Sequence, residues 1–173
     1  MSWKHALPVL FLVPAMAFAQ GKRPSDPQIA GIVVTANQID IDAGKLAKSQ
    51  SKTKEVQNFA QQMITDHTAV NKQAAALAQK LRVKPEDSDT SKSLKQAAAQ
   101  TTKKLKGLKG AEFDQAYVES EVAYHQQVLD AIDKVLVPNA QNAELKALIV
   151  KVRPAIAAHL EHAKHLQASL AKK

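Results

Sequence analysis

The stretch TKEVQNFAQQMITDHTAVNKQAAALAQKLR, residues 53–82, decides the fold of this chain. Its apolar residues recur at alternating spacings of three and four, and this spacing turns one face of a helix inward. The inward row consists of Val56, Phe59, Met63, His67, Val70, Ala74, Leu77 and Leu81. We therefore predict a long helix over about 53–82 whose apolar face is interrupted by a histidine.

A second inward row with the same spacing lies near the C-terminus. Its members are Leu145, Leu148, Val152, Ile156, His159, Ala163, Leu166 and Leu170. Asn139 or Asn142 can cap this helix, which continues almost to the end of the chain. Pro154 lies inside it and predicts a kink a little over one turn before His159. This row is also interrupted by a histidine.

An N-terminal helix is predicted to pack antiparallel against residues 53–82. Asp26 is its expected N-cap, with Pro27 in the first helical position, and the polar break at 49–51 ends it. A break this short makes the next helix fold back along the first. The expected inward residues of this helix are Ile29, Ile32, Val33, Ala36, Ile39, Ala43 and Leu46.

The middle of the chain predicts one short helix and one long helix. The short helix follows Pro85 and the polar stretch 86–90, and it ends at the breakers Gly107 and Gly110. A third long helix is predicted over about 111–137, stopped by Pro138. The short helix carries Leu94, Ala98, Thr101 and Leu105 on one side. Together the segments predict an all-α four-helix bundle with an extra helix in the connection between the second and third long helices.

The first 19 residues have the pattern of a secretory signal peptide. Lys4 and His5 precede an apolar run over 6–18, and the run closes with small residues, so cleavage is expected after Ala19. We predict a signal peptide over 1–19 and one domain over 20–173, with no transmembrane segment in the mature chain. The chain has no cysteine, which excludes disulfides and a lipoprotein anchor. A periplasmic or secreted location is the expectation.

The chain is basic, with a formal net charge of +8. Lysines spread along a chain usually make a solvated surface. The alternative is attraction to an anionic component of the cell envelope, and the lysines that favour it are Lys92, Lys95, Lys103, Lys104, Lys106 and Lys109. Nucleic acid is not an expected partner, because export removes the opportunity and few aromatic side chains are available to stack on bases.

The interrupted apolar rows point to a polar site in the core. A buried imidazole needs hydrogen-bond partners or a metal ion, so each histidine is either structural or a ligand. The candidate metal ligands are His67, His125, His159, Glu121 and Asp66, with Asp40 or His162 as further candidates. Imidazole-rich ligation suits copper or zinc better than an iron pair, although iron stays open.

Helical geometry assigns these candidates different roles. Glu121 and His125 are one turn apart, so both can reach one ion, or the carboxylate can orient the imidazole. Asp66 points about 100° away from His67 on the same helix and is expected at the surface or behind a ligand. His159 and His162 have a spacing that also allows a shared ligand, whereas His165 is expected in solvent.

Several segments resemble an exported bacterial family, the domain-of-unknown-function family 4142 (DUF4142). The segments are QIDIDAGKLA (38–47), VQNFAQQM (56–63) followed by Asp66-His67, FDQAY (113–117) followed by His125, and RPAI (153–156) followed by His159. The resemblance implies a ferritin-like helical bundle with a long crossover between the second and third helices, and it implies metal binding. It implies no established reaction. The Glu-x-x-His motif of di-iron ferritin-like proteins does not occur in this chain.

The path of the crossover affects the expected site. If the connection returns the chain to its starting end, we expect His159 to lie about 10–15 Å from the level of His67 and His125. If the helices run up-down-up-down, all three histidines are expected within roughly 6 Å of one level. The resemblance favours the first path, whereas one shared metal site favours the second.

The sequence therefore leaves three kinds of function open. The first is a periplasmic metal-binding protein for storage, buffering or stress protection. The second is a non-enzymatic envelope module that binds an anionic polymer or a protein partner through its basic surface, with structural histidines. An enzyme ranks third, because the chain has no cysteine nucleophile, no glycine-rich phosphate loop and no serine elbow, so metal chemistry is the only catalytic route.

Overall fold

A computed structural model describes residues 23–172, and this part of the chain is helical, with no strand. The helices are α1 (Asp26–Gln50), α2 (Lys54–Leu81), α3 (Asp89–Lys106), α4 (Gly110–Ala131), the short α5 (Val137–Asn139) and α6 (Ala143–Leu170), with a π turn over Ile132–Leu136. The predicted all-α class is confirmed. Within residues 23–172 no helix combines the length and the apolar character that a bilayer span requires. The predicted signal peptide lies outside the described residues.

Ser25, and not Asp26, is the N-cap of α1. The Ser25 hydroxyl accepts a hydrogen bond from the Gln28 N–H, and the Gln28 side chain accepts one from the Ser25 N–H. Asp26 has a different partner, because its carboxylate accepts hydrogen bonds of 2.9 and 2.8 Å from the N–H groups of Gln141 and Asn142. The predicted cap was wrong by one residue because Asp26 ties the start of α1 to the start of α6.

The chain stays helical through Pro138, so the predicted stop there was wrong. A π turn precedes the proline, and within it the Val137 N–H donates to the Ile132 carbonyl. Proline has no N–H to donate to an α-helical hydrogen bond. The π turn places this missing donor at a point where the chain already departs from α-helical hydrogen bonding. Asn142 then caps α6 by accepting from the N–H groups of Glu144 and Leu145.

The packed helices form two antiparallel pairs, α1 with α2 and α4 with α6. The chain leaves α2 close to the start of α1, where the Glu86 N–H donates to the Pro27 carbonyl over 2.9 Å. At Gly31 the backbone of Glu86 passes so close that an added Cβ would lie 2.0 Å from the Glu86 carbonyl oxygen. Only glycine allows the connection after α2 to pack directly on α1 at this point.

Helix α3 then crosses the length of the molecule, packed on α1 and α4. Leu94 near its start belongs to the same apolar cluster as Ile29 of α1, and Leu105 near its end belongs to the same cluster as Ala47 of α1. The side chain of Gln50, at the end of α1, donates to the Leu108 carbonyl over 3.1 Å. Helix α4 therefore begins at the end of the molecule where α2 begins, which is the long-crossover path that the resemblance implied.

A polar layer separates two apolar clusters along the helices. The first cluster includes Val56, Phe59 and Phe113, and the second includes Ile32, Leu129 and Ile149. Between them lie buried polar side chains from each of the four long helices: Asn37, Asp40, His67, Glu121, His125 and His159. The centre of the molecule is therefore built around ionisable groups, whereas both ends are apolar.

Candidate metal centre

His67 and Asn37 form the first part of the polar layer. The His67 ring Nδ1 donates to Asn37 Oδ1 over 2.7 Å, and Asn37 Nδ2 donates to the Val33 carbonyl over 2.8 Å. The second bond fixes the orientation of the amide, so its oxygen faces the imidazole. Since Nδ1 carries the proton, Nε2 keeps its lone pair. This atom is buried, lies 3.4 Å from Asp40 Oδ2, and has no hydrogen-bond partner among the described residues.

His125 has the same arrangement with a main-chain partner. Its Nδ1 donates to the Glu121 carbonyl over 3.0 Å, one turn earlier on α4, and lies 3.5 Å from Glu121 Oε2. The ring is fully buried. Its Nε2 has no partner within residues 23–172 and therefore also keeps a lone pair.

His159 is anchored by a carboxylate on the neighbouring helix. Its Nε2 donates over 2.9 Å to Oδ2 of Asp66, whose side chain is 42% exposed. The other ring nitrogen, Nδ1, is buried and without a partner in the described part of the chain. Each of the three histidines thus has one ring nitrogen held by an acceptor and one buried nitrogen that is left free.

The three imidazoles lie close together at the centre of the layer. The ring centroids of His67 and His159 are 5.3 Å apart, those of His125 and His159 5.5 Å, and those of His67 and His125 5.8 Å. One ring nitrogen from each residue lies within 4.8 Å of one from each of the others. A cavity of about 50 Å³, lined mostly by apolar side chains together with Asn37, Asp40 and His67, adjoins the His67 ring. That volume exceeds what a water molecule or a metal ion needs.

Burial keeps the imidazoles of His67 and His125 neutral near physiological pH. It lowers the pKa of His67 to about 3, with a smaller contribution from the charges of His125 and His159. Burial likewise lowers the pKa of His125 to about 4. A neutral imidazole is the form that binds a metal ion, because the ion takes the lone pair that a proton would occupy.

Two buried carboxyl groups complete the layer. Asp40 and Glu121 are 2% and 3% exposed, and their oxygens lie within 4.8 Å of each other and of a ring nitrogen of His125. Burial raises the pKa of Glu121 to about 8. Burial, followed by the neighbouring charge of Glu121, raises the pKa of Asp40 well above its usual range. Two carboxylates this close cannot both be ionised cheaply without a cation, so the pair retains a proton at neutral pH.

The other predicted candidates lie further out. Asp66 is outside both clusters of donor atoms found among the described residues, and it accepts from His159 in the supporting position that its helical angle indicates. His162 is exposed, its Nδ1 bonds Gln62 Oε1 over 3.0 Å, and its ring packs edge-on against Phe59. His165 is exposed. The structure therefore brings together His67, His125, His159, Glu121 and Asp40, and leaves His162 and His165 apart.

The expected separation of His159 in the long-crossover path was wrong. The chain takes that path, and yet the three rings are within 5.8 Å of one another. Helices α2 and α4 begin at the end of the molecule where α6 ends. Each histidine lies about three to four turns from that end, so all three reach the same level.

Asn37 is the residue of the layer that sequence reasoning missed. The expected inward row of α1 ran through Ala36, Ile39 and Ala43, whereas the fully buried positions include Asn37, Asp40, Gly44 and Ala47. A signal was present, because these four residues keep the same spacing of three and four. Because two residues of this row are polar and one is a glycine, an analysis of apolar positions alone did not identify the row.

The sequence matches the family described as Domain of unknown function (DUF4142) over residues 12–166, which is most of the chain. The chain belongs to the DUF4142 family. The family match covers every residue of the polar layer, and the predicted resemblance is confirmed. The DUF4142 description assigns no ligand or reaction, and neither the curated proteins nor the solved structures gave a match.

Proposed function

We propose that the protein is an exported, ferritin-like helical-bundle protein that binds a transition metal ion through His67, His125 and His159, in metal storage, buffering or stress protection. The observation that carries the proposal is the state of the three rings. Each donates one N–H to a fixed acceptor and keeps one buried nitrogen that has no partner among residues 23–172. This is the arrangement of metal-binding histidines in proteins, where the outer partner sets the tautomer and the orientation of the ring.

The donor set favours copper or zinc over iron. Three imidazoles on three helices supply nitrogen ligands, which suit Zn²⁺ and copper, whereas carboxylate-rich sites suit iron and manganese. Zinc–imidazole bonds are about 2.0–2.1 Å long, so small rotations of the rings would bring the nitrogens onto one ion. Glu121 supports the set through the backbone carbonyl that holds His125, and Asp66 through its bond to His159.

Different observations support the ferritin-like fold and the export of the protein. Two antiparallel helix pairs joined by a long crossing helix support a ferritin-like bundle. The basic start, the apolar run and the small residues before position 20 support export. An exported protein without cysteine meets metal ions outside the buffered cytoplasm, and there imidazole is the strongest neutral ligand that this chain offers.

Metal analysis of untagged protein tests the proposal. Wild-type protein, purified without a histidine tag and equilibrated with zinc or copper, is compared with the His67→Ala and His159→Ala variants and with the exposed control His165→Ala. We expect wild type and His165→Ala to retain about one ion per chain and both core variants to lose it. Circular dichroism checks that all four proteins are folded. Equal and negligible metal in every protein would remove the proposal.

A second candidate function rests on the exposed lysines. Lys92, Lys95, Lys103, Lys104, Lys106 and Lys109 are all exposed, on α3 and the turn that follows it. Such a surface can hold the protein on an anionic envelope polymer or a protein partner. Retention on isolated envelope material that falls with salt, and that is abolished by reversing Lys103, Lys104 and Lys106 to glutamate, is its signature. Retention indifferent to salt and to these changes would exclude it.

A further inference from the structure

Asp40 and Glu121 are buried beyond what their protein contacts explain. Each carboxyl group is more than nine-tenths buried, and Asp40 Oδ1 and Glu121 Oε2 have no hydrogen-bond partner among residues 23–172. The two groups hydrogen-bond each other through the proton that they retain, and this bond leaves the two oxygens unsatisfied. A buried oxygen without a partner is costly. A cation bound between the groups in place of that proton would supply a partner for both oxygens.

A cavity leads to this pair. A space of about 740 Å³ lies between α3, α1 and α4, and both Asp40 and Glu121 are among the residues that line it. Small side chains of α3, including Ala98 and Thr101, form the opposite wall. The three-imidazole cluster does not fill this space, because neither His67, His125 nor His159 lines it. The two carboxyl groups thus face a space large enough to admit an ion with its bound water.

We infer that Asp40 and Glu121 form a second subsite, for a divalent cation that prefers oxygen ligands, at the floor of the cavity under α3. One oxygen of each carboxyl group lies within 4.8 Å of the other, and a ring nitrogen of His125 lies within the same distance. Carboxylate and water ligands suit Mn²⁺ better than copper. His125 has only one nitrogen without a proton, and that nitrogen belongs to the three-imidazole site. The second ion therefore lies beside the first, held by the two carboxylates, with water in its open positions toward the cavity.

The inference rests on the proposed function, because the neighbouring ion is the one proposed at the three histidines. One titration tests the subsite and the proposed function separately. Metal-stripped, full-length protein receives one equivalent of Zn²⁺ and is then titrated with Mn²⁺, followed by electron paramagnetic resonance of free Mn²⁺. The test variant is Asp40→Asn with Glu121→Gln. The matched control is Asp42→Asn with Glu119→Gln, which changes two carboxyl groups that line the outer part of the same cavity.

We expect wild type and the control to bind about one Mn²⁺ per chain. The Asp40→Asn, Glu121→Gln variant should bind Mn²⁺ at least about tenfold more weakly. Its retained Zn²⁺ shows that it is folded, and Asp40→Asn alone serves if the double variant does not fold. Equal Mn²⁺ affinity in the test variant and wild type overturns the subsite, as does the absence of bound Mn²⁺ in wild type. Mn²⁺ binding that survives in His159→Ala, with no Zn²⁺ bound by any form, overturns the proposed function and leaves the subsite.

Discussion

At the scale of single residues, the polar layer is unusual because its polar atoms are only half satisfied. A buried nitrogen or oxygen without a partner destabilises a protein by about 1–3 kcal/mol. Within the part of the chain that the structure describes, one nitrogen on each of His67, His125 and His159 is in that state, while the other is held by an acceptor. A purely structural histidine has no reason to leave such an atom beside two others of the same kind. The arrangement is explained if a ligand completes it.

The bond from His159 to Asp66 gives the first prediction. Asp66→Ala removes the acceptor that orients the ring, and we expect the affinity for Zn²⁺ to fall by about 10- to 100-fold. Asp66→Asn keeps an oxygen acceptor and should lose less. Isothermal titration of metal-free protein measures both. Asp42→Ala, an exposed carboxylate, is the control, and an unchanged affinity in Asp66→Ala would show that the bond has no role in metal binding.

At the scale of helices, α1 and α2 pack closely at Gly44. A Cβ placed there would lie 2.9 Å from the Ala60 carbonyl oxygen and 3.0 Å from Ile64 Cγ1. The carbonyl belongs to the backbone of α2 and cannot move independently. This close approach brings Asp40, one turn earlier on α1, level with His67 on α2.

Gly44→Ala should therefore destabilise the protein. Overpacking of this kind costs about 1–3 kcal/mol, which exceeds the gain of roughly 0.5–1 kcal/mol from alanine in a helix. Urea unfolding followed by circular dichroism measures the change. Gly107→Ala is the control, because its Cβ would meet only the Lys104 carbonyl oxygen, at 3.4 Å, and its free energy of unfolding should change by less than about 0.5 kcal/mol. An unchanged free energy in Gly44→Ala would contradict the close packing.

At the scale of the whole molecule, the polar layer joins the two helix pairs. Asn37, Asp40 and His67 come from α1 and α2, whereas Glu121, His125 and His159 come from α4 and α6. An ion held by all three histidines would connect both pairs at mid-height. Metal binding and global stability are then linked, because unfolding separates the ligands.

The melting temperature should rise when metal is added. At a free zinc concentration of 100 times the dissociation constant, the stabilisation is about 2.7 kcal/mol. For a domain of this size it corresponds to a rise of roughly 5–10 °C. Scanning calorimetry should find this rise in wild type and in His165→Ala and no rise in His67→Ala. A similar rise in His67→Ala would place the stabilising ion elsewhere.

The stability of the metal-free protein should have a maximum between about pH 4.5 and 6.5. Below this range the unfolded chain protonates its histidines while the lowered pKa values of His67 and His125, about 3 and 4, keep them neutral in the fold, so stability falls as pH falls. Above it, the folded protein keeps the proton of Glu121, whose pKa is raised to about 8, while the unfolded chain has lost it, so stability falls as pH rises.

Each such group changes the free energy of unfolding by up to about 1.4 kcal/mol per pH unit. Urea unfolding of stripped protein across the pH range measures the curve. Glu121→Gln should flatten the alkaline side, whereas Glu112→Gln, at an exposed position, should leave it unchanged. A decline above pH 6.5 that is equally steep in Glu121→Gln would show that another group causes it.

The regular spacing of apolar residues in the sequence was sufficient to predict the long helices. The row from Val56 to Leu81 predicted α2 within one residue at each end, and the row around His159 predicted α6. The two errors at helix ends have different causes. The Ser25–Gln28 capping box is a local pattern, and Asp26 was the wrong choice because its carboxylate binds the start of α6, a contact that no local pattern records. The π turn that carries the helix past Pro138 is a rare local departure from α-helical bonding, so the proline alone indicated a stop.

The sequence by itself determined the all-α class, the long helices and the two histidines that interrupt apolar rows, because these depend on spacing along one helix. Only the tertiary structure decided the crossover path, the common level of the three imidazoles, the anchoring acceptors on each ring and the burial of Asn37 and Asp40. These depend on how helices far apart in sequence are aligned. A displacement of one turn, about 5.4 Å, along α2, α4 or α6 would separate the rings, and no local pattern records that alignment.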